Sequence, residues 1–235
     1  MQAQDTTTLF LLKLWPWVEA NKNRLIGGTV IAAVAIFLIS FIVWRGGQNE
    51  IAAGQAVTQV AFSGGGPSGD AYLKVAAQYP GTMAGQRAWL QGAAALFDSG
   101  KYAEAQTQFQ KFLDGHPHGE FSGQAALGVA ASLDAQGKAD LAAGAYQRVI
   151  ANYSDALVLN AAKFAVARID ESQGNLNDAL VLYQDIATTD SGGSLGSEAG
   201  MRLLELRAKV PAPVATPPPT ATSAPTVAAP LKSAQ

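Results

Sequence analysis

The sequence predicts an all-α protein: a single N-terminal transmembrane helix, a solenoid of about four helix pairs with a capping helix, and a disordered Pro-rich tail. Three observations predict it. Ring-bearing residues at Tyr72, Phe109, Tyr146 and Tyr183 stand 37 apart, and Gly100, Gly137 and Gly174 keep the same interval, as do Ala105, Ala142 and Ala179. A fixed period in the range of about 20 to 50 residues marks a repeat architecture, in which each unit buries its apolar face only by stacking on its neighbours. Turn signals recur at matching places within an otherwise helical periodicity. Finally, residues 25–44 contain no charge.

Composition narrows the function classes. The 235 residues are 49% hydrophobic and only 14% charged, with a formal charge of −2. That charged fraction is low for a purely soluble domain. The chain contains no cysteine, so disulfides, a thiol nucleophile and thiolate metal ligation are excluded. Mild acidity argues against nucleic acid, whose backbone demands clustered Lys and Arg.

Taken in order, the segments are 1–24, a cytoplasmic leader; 25–44, the transmembrane helix; 45–208, the helical repeats; and 209–235, the tail. Within the leader, Thr8 to Val18 is apolar and broken by Pro16, a stretch suited either to the membrane surface or to disorder. Leu25 to Trp44 is long enough as a helix to cover about 30 Å of hydrocarbon. Its twelve Leu, Ile, Val and Phe residues contribute at most roughly −4 to −7 kcal/mol to insertion. Trp15, Trp17 and Trp44 near its ends, together with Arg45, are the expected membrane anchors, since amphipathic rings prefer the headgroup zone. Lys13, Lys22 and Arg24 precede the span and only Arg45 closely follows it, so the positive-inside rule keeps the N-terminus in the cytoplasm and exports the chain beyond residue 45. A cleaved signal peptide is the competing reading, and a 20-residue core behind 24 leading residues is too long for one.

From Gln48 to about Ala208 the pattern is helical. Gly100, Gly137 and Gly174 each end the first helix of a pair by supplying a left-handed residue. Breaks between pairs fall at 79–82, 116–119, 153–155 and 191–193, and Ser194 to Ala208 reads as the capping helix. Gly64 to Pro67 reads as a flexible linker between the first two helices. The best-preserved unit, Ala88 to Pro117, resembles a tetratricopeptide repeat: Trp89, Ala93, Leu96, Gly100, Tyr102, Ala105, Phe109, Phe112 and Pro117 fall at that family's signature spacings. Later units keep the small residue and the ring and lose the tryptophan and the proline.

The resemblance implies a concave protein-binding groove lined by the first helices of successive pairs. Carried over, its positions are Arg87, Leu90, Ala94 and Phe97, then Gln124, Leu127, Ala131 and Asp134, then Ala161, Phe164, Arg168 and Glu171. The family's clamp for C-terminal carboxylates uses Lys and Asn, whereas these positions offer mainly Leu, Phe and Ala, so a mixed apolar groove for an extended or helical segment of another protein is expected. Leu90, Leu127 and Phe164 read equally well as core residues, because apolar residues at helical spacing usually are.

Little in the chain suits catalysis. His116 and His118 flank Pro117 in a turn without clustered carboxylates or thiolates, which makes a poor metal site and reads as two solvated turn residues. Asp170 and Glu171 are neighbours on a helix and point in different directions, so they cannot act jointly on one bond. No phosphate loop and no set of nucleophile, base and orienting residue is visible. The expectation is a binding protein that is not an enzyme, with no metal, no cofactor and no small-molecule substrate. After Lys209 the chain holds seven prolines and one charge, a composition that cannot bury enough surface to offset chain entropy.

The whole layout resembles the bacterial ancillary subunits of the SecYEG translocon, of the YfgM type. The resemblance is carried by Trp17 to Lys22 before the span, Trp44 and Arg45 leaving it, and Ile51 to Val57 opening the first exported helix. It implies a bacterial inner-membrane protein with a periplasmic repeat domain, whose partners are the export translocon and periplasmic chaperones. The proline-rich tail departs from that family. An alternative comes from the Tyr79 to Thr82 and His116 to Glu120 turns, which are similar to those of envelope tetratricopeptide proteins that coordinate cell division or outer-membrane assembly.

Overall fold

A computed structural model describes residues 16, 19–63 and 68–209. Nine helices are bounded among the described residues: α1 Lys22–Ala61, α2 Gly69–Gln78, α3 Met83–Asp98, α4 Tyr102–Gly115, α5 Ser122–Ala135, α6 Ala139–Asn152, α7 Ala156–Gln173, α8 Leu176–Thr189 and α9 Ser194–Lys209. The protein is all-α, a long apolar N-terminal helix followed by stacked helix pairs consistent with a tetratricopeptide-like solenoid. The Trp15 and Trp17 anchors, the rest of leader residues 1–15 and 17–18, the Gly64 to Pro67 linker and the tail beyond Lys209 lie outside the described residues.

The first departure from expectation is α1. A boundary is expected near residue 45, between a membrane span and a separate exported helix, and the structure has none: 40 residues form one helix, about 60 Å long at 1.5 Å per residue. No proline stands between Arg45 and Ala61, and the helix runs on through Gly46 and Gly47 although glycine disfavours it. This is one helix long and apolar enough to cross a membrane. Every described side chain from Lys22 to Asn49 is exposed, and contact with the rest of the protein starts at Glu50.

The chain divides into two compact units, Met1–Ala165 and Val166–Gln235, and the boundary falls inside α7. In the first unit the end of α1 packs on α2 and α3, and from α2 to α6 each helix packs on the next. Ala53, Ala88, Ala93, Ala105, Ala125, Ala130 and Ala142 are wholly buried. Their single methyl groups allow the helices to approach closely enough for ridges to enter grooves. Between them sit Leu90, Leu96, Phe109 and the fully buried Phe112. A smaller cluster of Val75, Ala76 and Ala88 receives Ala56, Val57 and Val60 from the end of α1. In the second unit α8 packs on α9, and Tyr183, Ile186 and Leu206 are fully buried.

Three joints repeat with the sequence period. Gly100, Gly137 and Gly174 adopt φ of 77°, 74° and 82°. At each joint the glycine N–H donates to the carbonyl three residues back (Phe97, Asp134, Glu171), and the next N–H donates to the carbonyl five residues back (Leu96, Leu133, Asp170). This double closure satisfies carbonyls that a helix end otherwise leaves unpaired, and it requires a left-handed residue at the glycine.

Candidate functional site

The expected groove positions on α3 and α5 meet in one hollow of about 220 Å³. Leu90, Ala94 and Phe97 line it from α3, Gln124, Leu127, Gly128 and Ala131 from α5, and Phe109 from α4. Apart from Gln124, the lining is entirely apolar or glycine. A second hollow of about 680 Å³ extends past the other end of α5, lined by the loop Gly119, Glu120 and Phe121, by Gly123, Gln124 and Leu127, and by Tyr153 to Asp155 with Leu157, Val158 and Ala161. Gln124 and Leu127 border both, so the two hollows adjoin along α5. Volumes of this size suit side chains of a bound segment.

The loop before α5 has a specific anchor. Ser122 is 1% exposed, and its hydroxyl lies 2.6 Å from the His116 carbonyl and 2.8 Å from that of Gly119. It therefore pins both ends of the turn that forms the rim of the larger hollow. Arg87 stands with its guanidinium carbon 5.6 Å from the Phe121 ring centroid, a cation–π geometry worth about 0.5–1 kcal/mol at an exposed site. Along the smaller hollow, the Phe97 ring meets Tyr102 edge-on at 5.0 Å.

Individual groove positions fare differently. Ala94 and Gln124 are exposed; Phe97, Leu127, Ala131 and Ala161 are half-buried and face the hollows. Leu90 is 3% exposed and belongs to the core cluster as well as to the hollow's wall. Asp134 and Phe164 are half-buried and line neither hollow. Arg168 is exposed and Glu171 half-buried on the part of α7 that falls in the second unit. There Glu171 accepts a hydrogen bond of 3.3 Å from the Tyr183 hydroxyl. Burial first, then the charge of Glu171 and that hydrogen bond, push the Tyr183 hydroxyl up to about 12, because each disfavours the phenolate.

Phe109 and Gly128 line the smaller hollow, and the sequence reading placed the first elsewhere and passed over the second. A Cβ on Gly128 would stand 2.6 Å from the Phe109 ring, so the ring of one pair rests directly on the glycine of the next and together they floor the hollow. Periodicity located the ring but did not mark Gly128 as its partner, since the equivalent positions in other repeats include Gln91 and Arg202. His116 corrects an expectation. Only His118 is fully exposed; His116 is half-buried, stacks on Phe112 at 4.7 Å and places Nδ1 3.2 Å from the Phe112 carbonyl. It is a packing residue closing α4. Of the expected anchors that the structure describes, Trp44 is 62% exposed with its ring 6.2 Å from that of Phe41, and Arg45 is exposed beside it.

A stack of helical hairpins with small residues at the close approaches and a groove along the first helices defines a class of repeat protein. The tetratricopeptide repeat family model matches residues 124–156, which covers α5 from Gln124, all of α6 and their joint at Gly137. The match falls one unit beyond the stretch whose residues carry the resemblance most fully. No curated protein matches the chain.

Proposed function

We propose that the protein is a membrane-anchored scaffold that holds segments of other polypeptides in the hollows along α5 and performs no catalysis. The observation that carries this reading is the hollow lined by Leu90, Ala94, Phe97, Leu127 and Ala131, beside a second that shares Gln124 and Leu127. Apolar walls with one amide at Gln124 suit side-chain packing of a helical or extended segment, and tetratricopeptide repeats typically bind proteins. The long apolar helix α1 would act as the anchor, with the N-terminus cytoplasmic and the repeats on the periplasmic side of a bacterial inner membrane. The layout before, at and after that helix favours a place beside the export translocon and its periplasmic chaperones.

The test uses photo-crosslinking groups at Gln124 and Ala131 in intact membranes, with recovered partners identified. Translocon subunits or periplasmic chaperones are the expected products. Recovery of division or outer-membrane assembly proteins instead would replace the translocon reading while leaving the groove. Ala94→Arg supplies the companion variant: Ala94 is exposed, so the fold should survive while the arginine fills the hollow and lowers partner capture at least about tenfold, the consequence of losing roughly 1.4 kcal/mol. Capture that persists at wild-type level in a folded Ala94→Arg protein would show the groove to be misassigned.

A further inference from the structure

Helix α1 is continuous in backbone and discontinuous in everything else. Up to Asn49 every described side chain is exposed; from Glu50 the helix is part of the repeat stack. Glu50 makes the transition abrupt. Its carboxylate accepts from the backbone N–H of Met83 and of Ala84, each at 2.8 Å, while the Thr82 hydroxyl accepts from Gly85 at 2.9 Å. These acceptors satisfy three of the donors that the start of α3 would otherwise leave unpaired, and the carboxylate sits at the positive end of that helix. Ala53, wholly buried, and then Ala56, Val57 and Val60 complete the seat.

Immediately before this latch lie Gly46, Gly47, Gln48 and Asn49. Neither glycine has any atom within 4 Å of the place a Cβ would occupy, so no packing demand accounts for them. Two glycines in place of alanines weigh against helix by about 30-fold, or about 2 kcal/mol at 1.4 kcal/mol per decade, and asparagine adds to this. Gly27 and Gly28 are equally open but lie inside the apolar stretch, whereas Gly46 to Asn49 is a weak part of α1 that stands between the last residues of that stretch, Trp44 and Arg45, and the first docked one.

We infer that Gly46 to Asn49 is a joint, and that Glu50 is the latch that keeps bending there from spreading into the repeats. The apolar half of α1 and the docked half are separate rods, so the groove can be presented over a range of tilts while the first repeat stays intact. Only the use of this joint at a membrane depends on α1 being the anchor; the joint itself does not.

The test is amide hydrogen exchange on the full chain in lipid nanodiscs. Amides of 46–49 should exchange at least about tenfold faster than those of 53–60, and Gly46→Ala/Gly47→Ala should slow 46–49 by up to about 30-fold with 53–60 unchanged. Glu50→Ala should speed exchange at Met83 and Ala84 and let the fast region extend past residue 50, with Glu50→Gln intermediate. Equal, slow exchange across 46–60 in the wild type, unaltered by the double alanine variant, would overturn the joint. Fast exchange of 46–60 as one block in the wild type would overturn the latch. Free exchange at 30–43 would overturn the anchor reading alone, since the joint is read from 46–49 against 53–60.

Discussion

Two side chains illustrate how much a single residue decides. Gly128 accepts the face of Phe109 so closely that Gly128→Ala forces a buried ring off its rotamer. The variant should lose about 1–3 kcal/mol in chemical denaturation, net of the helix propensity gained, and the smaller hollow should lose its floor. Tyr183 sets a pH limit. Its folded-state value of about 12 lies above the ordinary 10.0, so its contribution to stability is complete below pH about 10 and drains away as the pH rises from there towards 12. Ultraviolet titration should show tyrosine ionisation near pH 12 that falls by one group in Tyr183→Phe. An unchanged ionisation there in the variant would contradict the burial and Glu171 contact described. Neither effect was fully legible in the sequence. The period located both rings, but which atom a ring rests on depends on the register between helices, and the Glu171 partnership spans 12 positions across a joint.

At the level of elements, the joints were legible because their chemistry is local: a glycine just past a helix end at a constant interval allows one backbone solution. Gly137→Ala tests this. At φ 74° an alanine is strained by about 1–2 kcal/mol, with no packing penalty because the space around it is open, and thermal unfolding should show that cost. An unchanged melting temperature would mean the joint relaxes to another closure. Phe112, wholly buried between Trp89 and His116, should lose about 3–5 kcal/mol on truncation to alanine. The extent of α1 was not legible, because the apolar stretch ends at Trp44 while helix propagation does not. Hydrophobicity reports the solvent a segment prefers; it says nothing about where hydrogen bonding between successive turns stops. The half-burial of His116 was hidden for a related reason, since a turn sequence signals loop geometry and not whether a neighbouring aromatic pair will cover the ring.

For the molecule as a whole, the all-α class and the alternation of helices and joints followed from the period, and the family match over residues 124–156 agrees with the repeat type that the spacing suggested. Which face binds, and what, is not written in periodicity, because the same apolar positions serve core and groove: Leu90 does both. The whole chain should resist alkaline extraction from membranes, whereas a form starting at Glu50 should partition to the aqueous phase with its helical spectrum retained; a full-length protein found free in the supernatant would argue against anchoring by α1. The identical closures at Gly100 and Gly137 carry one more consequence. The stretch from Lys101 through Gly137 starts and finishes at equivalent backbone junctions, so a second copy spliced in after Gly137 would meet a ready-made seam at both ends. The gene could grow or shed such modules by in-frame duplication or loss, changing the length of the helical stack without inventing a new corner.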